Sequence, residues 1–102
     1  MEPFTDEDII QAIRAGGRAA EEALGRLYSD GGFRRKAEFA VRRFDGSLAD
    51  VEDVFQEGLW RLFQQIKNGG FEERSSVKTF FGSLCKNICL NEYTTRKRRS
   101  EI

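Results

Sequence analysis

The sequence predicts an all-α fold, a compact bundle of four to five helices, on three grounds. Apolar residues recur at three- and four-residue steps along most of the chain, the spacing of a helix with one buried face. A single proline, Pro3, and few β-branched residues speak against strands. Three double glycines, Gly16-Gly17, Gly31-Gly32 and Gly69-Gly70, punctuate the periodic stretches, as glycine does at helix ends. A chain of 102 residues is expected to form a single domain over 1–102, and its nine phenylalanines are ample for a helical core.

The first helix is expected over about 6–15, with Thr5 as N-cap and Asp8 completing a capping box. The second covers about 18–29, with Ala20, Ala23, Leu24 and Leu27 on its apolar side. The third covers about 33–44, where Phe33, Ala37, Ala40, Val41 and Phe44 keep helical spacing, and Asp45-Gly46-Ser47 ends it. The fourth covers about 48–67, capped by Ser47 with Asp50 three residues later. Its stripe is Val51, Val54, Phe55, Leu59, Leu62, Phe63 and Ile66, continued by the small Gly58. After a polar loop, Ser75 or Ser76 caps a last helix over about 76–95. There Val77, Phe80, Phe81, Leu84, Cys85, Ile88 and Cys89 form the inward stripe.

Composition removes several function classes. With no histidine there is no Ser-His or Cys-His pair, and two cysteines alone cannot complete a zinc site. The glycine pairs lack the lysine and serine of a phosphate-binding loop. The reading is therefore not an enzyme, with no cofactor and no metal. Cys85 and Cys89, four apart on one helix, are expected as reduced, core-facing thiols. An acidic opening, MEPFTDED, and no apolar run near the ~20 residues needed to span a bilayer predict a cytoplasmic protein without signal peptide or membrane contact.

A net charge of zero conceals a split. Residues 1–60 hold about thirteen acids and eight bases, whereas 61–102 hold about four acids and nine bases. On the fourth helix, Asp53, Gln56, Glu57 and Trp60 stand at i, i+3, i+4 and i+7, on one side and off the core stripe. A large aromatic beside acids suggests a protein-docking surface; the plain alternative is a solvated face with one stray tryptophan. On the last helix, Lys78, Lys86 and Asn87 also lie off the apolar stripe. Arg74 precedes that helix, and Arg96, Lys97, Arg98 and Arg99 end it. Four consecutive bases exceed what the helix dipole requires, which favours nucleic acid. Thr79, Ser83 and Asn87 can hydrogen-bond phosphates or bases, and Phe71 either packs in the core or stacks on an unpaired base.

In this order the features resemble region two of bacterial RNA polymerase sigma factors, sigma-70 family, extracytoplasmic-function type. Asp50, Glu52, Asp53, Gln56 and Glu57 match that family's D-x-E-D…Q-E pattern, and Leu59, Leu62 and Phe63 its apolar continuation. The segment SVKTFFGSLCKNICLNEYTTRKRR is similar to its last helix, with Lys86-Asn87 for the family's Arg-Asn pair and Phe80 for its tryptophan. TDEDIIQAIRAGGRAAEEALGRLY looks like its beginning. Asn91 departs from the usual aspartate, and Gly82 weakens the helix locally.

The resemblance implies that the fourth helix docks on the clamp helices of the polymerase β′ subunit. It makes Asp53, Gln56 and Glu57 core-binding residues, and Trp60 joins them by geometry. It also implies that the last helix and its preceding loop contact the −10 promoter element and capture an unstacked base of the non-template strand. Lys78, Lys86 and Asn87 then contact DNA, with Arg74 and Phe71 in the capture loop. Such factors also carry a helix-turn-helix region four, which these 102 residues do not supply. A lone region two is expected to bind core polymerase yet initiate poorly. The family setting also admits an anti-sigma factor that masks the same surfaces. The rivals are a module that occupies the polymerase clamp without binding promoter DNA, and a generic nucleic-acid-binding helical domain.

Overall fold

The computed structural model describes residues 4–44 and 48–100, apart from the side chains of 48, 49 and 100. Five α-helices follow one another: α1 Asp6–Ala15, α2 Gly17–Tyr28, α3 Gly31–Arg43, α4 Leu48–Lys67 and α5 Val77–Ser100. The architecture is all-α, with no strand among the described residues.

Local chemistry sets most of the boundaries. The Asp8 N–H donates to Thr5 Oγ1 at 3.1 Å and the Thr5 N–H to Asp8 Oδ2 at 3.0 Å, so two otherwise orphaned donors of α1 are satisfied. Those bonds hold the Asp8 carboxyl below the usual carboxylate range. The glycine pairs divide the chain in three different ways. Gly16 and Gly17, with φ of 74° and 55°, turn α1 into α2 through backbone conformations that side chains resist. Gly31 and Gly32 instead belong to the first turn of α3. The Asp30 side chain accepts from the N–H groups of Gly32 and Phe33 at 2.8 and 3.2 Å, which starts the helix two residues before the expected 33. Gly69, with φ 77°, closes α4, and Gly70 and Phe71 both donate to the Gln65 carbonyl at 2.8 and 3.2 Å. Ser76, not Ser75, caps α5, because its Oγ accepts the Thr79 N–H at 3.1 Å. The expected Ser47–Asp50 cap and the Asp45-Gly46-Ser47 turn lie outside the described residues.

α4 is the hub, touching each of the other four helices. Its Val51, Val54, Phe55, Leu59, Leu62 and Ile66 are buried, and the Phe55 ring meets Phe81 edge-on at 5.8 Å. Gly58 permits the close approach of α5, since a Cβ there would sit 2.9 Å from the Phe81 ring and 3.0 Å from Cys85 Sγ. The Val77 N–H donates to Asp6 Oδ2 at 3.0 Å and ties the start of α5 to that of α1. Cys85 and Cys89 are free and buried, and burial pushes the Cys85 thiol up to about 12, so it is an inert packing group. No described helix is long and apolar enough to cross a membrane.

α5 runs past the expected end at 95. Every described side chain from Leu90 to Arg99 is exposed, and although Tyr93 still meets the Phe44 ring at 5.9 Å, the final turn beyond Arg96 projects from the bundle. Local bonds sustain this end of the helix: Thr95 Oγ1 donates to the Asn91 carbonyl at 2.9 Å, and Arg96 pairs with Glu92 at 3.4 Å. The bases of the final turn also complement the negative end of the helix dipole.

Candidate functional site: an acidic face on one helix and a basic face on the next

Asp53, Gln56, Glu57 and Trp60 are all exposed on the outer side of α4. Trp60 keeps 57 % of its surface open and stacks on Phe63 at 5.7 Å with the ring planes 17° apart. Lys67 lies over the other aromatic, its Nζ 5.5 Å from the Phe63 centroid. Arg61 reaches back to Glu57 at 2.9 Å, one helical turn away.

Sequence reasoning gave no role to Glu52, the residue that ties Gln56 of this face to α2 and α3. Its Oε1 accepts from Tyr28 Oη at 2.6 Å and from Gln56 Nε2 at 3.0 Å, and its Oε2 pairs with Arg34 at 2.7 Å. Hydrogen bonds from Tyr28, Gln56 and Arg34, in that order of effect, lower the Glu52 carboxyl to about 2. The same contact pushes the Tyr28 hydroxyl up. Tyr28 stacks on Phe55 at 5.5 Å, so the network stands directly on the core. The step from Glu52 to Gln56 is visible in the sequence. The partners from α2 and α3 are not, because only the fold brings them there.

The basic residues do not share one surface. Thr79, Ser83 and Lys86 follow one another along the side of α5 that faces α3, and Asn87 is exposed beside Lys86. Lys78 is turned away from them. Its ammonium is half-buried, 4.0 Å from the Asp30 carboxylate and 5.5 Å from the Phe33 centroid, in a recess it shares with α1 and α2. In this position Lys78 braces the cap of α3 and is withdrawn from the face that carries Lys86. The hydroxyls are partly engaged: Ser76 Oγ donates to Thr79 Oγ1 at 2.9 Å, and Ser83 Oγ to the Thr79 carbonyl at 3.4 Å.

In the loop before α5, Phe71 takes the core alternative. It is 5 % exposed and packs on Phe80 at 4.9 Å, so its ring is covered and offers no free stacking platform in this conformation. Together with Phe80 it forms the floor of a small hollow, which Glu72, Arg74 and Ser75 surround. Arg74 pairs with Glu72 at 2.9 Å, and Glu73 is held at φ 56°, a conformation non-glycine residues rarely adopt. Arg96 turns toward α4, lining a recess with Asp50 and Glu92, whereas Lys97 is exposed on the projecting end.

In comparison with known proteins, one family match spans both faces. The family described as Sigma-70 region 2 matches residues 33–99, from the first turn of α3 to the end of α5. The chain is 36 % identical over 67 residues to the ECF RNA polymerase sigma factor SigG of Mycobacterium tuberculosis, in both strain CDC 1551 / Oshkosh and strain ATCC 25618 / H37Rv. That similarity covers 66 % of this chain and 18 % of the relative, so the chain spans less than a fifth of the curated relatives it matches. No solved structure matches it.

Proposed function

The chain belongs to the Sigma-70 region 2 family, which is not a class of enzymes, and from that premise we propose that it acts in transcription initiation in the cytoplasm. In this reading the outer face of α4 docks on core RNA polymerase at the β′ clamp helices. The face of α5 with its preceding loop engages the −10 element, chiefly its non-template strand. An anti-sigma factor would act by covering either face.

One observation carries the reading: two adjacent helices on one core present opposite chemistries. Asp53, Gln56, Glu57 and Trp60 form an acidic and aromatic patch, in which Gln56, Glu57 and Trp60 are held by neighbours within the chain. The three held members lose little side-chain freedom on meeting a folded protein. Lys86 and Asn87 are exposed and unpartnered among the described residues, as suits contact with a polyanion. Because Phe71 is covered, capture of an unstacked base would fall to the hollow beside Phe80, with Arg74 at its rim.

The test separates the two faces. Asp53→Ala with Gln56→Ala should weaken a pull-down against core polymerase about tenfold or more, an effect of ~1.4 kcal/mol, while the domain stays folded. Lys86→Ala with Asn87→Ala should weaken binding to −10 non-template single strand and leave the pull-down intact. Unchanged polymerase binding in the first pair would remove the docking assignment. Wild-type strand binding in the second would leave a polymerase-binding module that does not read promoter DNA.

A further inference from the structure

α3 carries five cations, Arg34, Arg35, Lys36, Arg42 and Arg43, and one acid, Glu38. Arg34 is committed to Glu52, and Glu38 lies near Arg34. Lys36 and Arg43 point elsewhere. They line an open groove between α3 and α5 whose opposite wall is Thr79, Ser83 and Lys86. The groove exists because its floor is built from small residues, Ala40 and Gly82. A Cβ at Gly82 would lie 3.1 Å from Lys36 Cδ, so the missing side chain leaves the track in which the lysine stem rests.

Phe39 stands at the rim, three residues after Lys36 and four before Arg43. At 70 % it is the most exposed large hydrophobic residue among those described, and its ring meets no aromatic partner there. Two unfavourable features therefore coincide. Lys36, Arg43 and Lys86 gather around one groove without an ion pair among the described residues, and a bare aromatic ring stands between the two α3 cations. A ligand with spaced negative charges and flat apolar faces relieves both at once. Single-stranded nucleic acid has that chemistry, because its phosphates attract the cations and its unpaired bases offer faces for stacking. A duplex buries those faces in its own stack, whereas an unpaired strand presents phosphates and base faces side by side along one path.

We propose that the α3–α5 groove binds a DNA single strand, with Phe39 stacked on an unpaired base and Lys36, Arg43 and Lys86 holding the flanking phosphates. The proposal rests on the promoter reading of α5 and extends it, since Lys86 belongs to both surfaces. The strand that passes Lys86 and Asn87 continues across the groove onto α3. Ser83 and Thr79 supply hydroxyls along that path.

The test is the affinity of the full chain, alone and assembled on core polymerase, for a labelled DNA strand of about twelve nucleotides, read by fluorescence anisotropy. Phe39→Ala should weaken binding about fivefold or more, Phe39→Trp should retain it, and Phe39→Leu, apolar but not flat, should behave like alanine. Lys36→Gln with Arg43→Gln should lower the slope of log affinity against log salt by about 1.4, the share of two phosphates on a single strand. Phe39 is exposed, so melting curves of its variants should overlay the wild type. If these α3 variants bind as wild type while Lys86→Ala with Asn87→Ala loses affinity, the groove proposal falls and the α5 assignment stands. If wild type binds no strand in either setting, both fall together. Equal weakening of Phe39→Ala toward heparin, a polyanion without bases, would overturn the stacking role.

Discussion

α4 and α5 share one core through Phe55, Phe81 and Gly58, yet the outward side chains at the middle of each helix are held in different ways. On α4, Gln56 is tied to Glu52, Glu57 to Arg61, and Trp60 is stacked on Phe63. On α5, Lys86 and Asn87 extend without partners among the described residues. The first arrangement fixes a shape in advance, which suits a partner that is itself rigid. The second leaves long side chains free to follow a flexible, charged chain.

The comparison is broken most completely by removing what the two helices have in common. Phe81 is fully buried and touches both Phe33 and Phe55. Phe81→Ala should cost ~3–5 kcal/mol in chemical denaturation and abolish polymerase and strand binding together. Loss of one activity alone would mean that the faces do not depend on a shared core. Gly58→Ala comes next. The added methyl would press on the Phe81 ring and on Cys85 Sγ, both buried and unable to yield freely. Overpacking of about 1–3 kcal/mol should exceed the roughly 1 kcal/mol of helix propensity gained, for a net loss on melting. A stabilised variant would show that the helices can separate.

Much of this was legible in the residues. The stripe Val51-Val54-Phe55-Leu59-Leu62-Ile66 announces the buried side of α4, and the same reasoning finds Val77, Phe81, Cys85 and Ile88 on α5. Thr5 and Asp8 form the cap that their spacing suggests. The double glycines were harder, because identical pairs serve as a left-handed turn at Gly16-Gly17 and as a first helical turn at Gly31-Gly32. What decided the second case was Asp30, a cap whose role depends on backbone direction. The surfaces were legible only in part. Periodicity alone sets Asp53 beside Trp60, but Lys78 is drawn toward Asp30 and Phe33 by contacts with α3. Phe39 follows the same logic in reverse. In the sequence it is one apolar residue in a helix, and only packing reveals that nothing covers it.

A smaller change sharpens the contrast by loosening one face only. Ser76 Oγ accepts the Thr79 N–H at the start of α5, beside the capture loop and remote in sequence from α4. Ser76→Ala should cost about 1 kcal/mol on melting and fray the first turn. Strand binding should weaken while the polymerase pull-down stays at the wild-type level. A matching fall in the pull-down would show that the α5 cap also sets the geometry of α4.

The smallest expected change in stability, and the most specific test of α4, is Glu52→Gln. In the folded chain the Glu52 carboxyl is lowered from its ordinary 4.5 to about 2 by bonds from Tyr28, Gln56 and Arg34. A lowered carboxylate favours the folded state above its ordinary value, because the charged form is the one the fold binds. That contribution is fully present above about 4.5 and is lost as acid carries the pH down toward about 2. Wild type should therefore melt above Glu52→Gln at neutral pH, and the gap should narrow through this window. Glutamine is nearly the same shape but carries no charge, so it weakens the hold on Arg34 and leaves Tyr28 and Gln56 without a carboxylate acceptor. If the network presets the docking face, the polymerase pull-down should fall even though Asp53, Glu57 and Trp60 are untouched. A pH-independent melting gap would remove Glu52 as the anchor. An unchanged pull-down would mean that Gln56 is positioned by the helix alone, and the contrast between a fixed α4 face and a free α5 face would lose its physical cause.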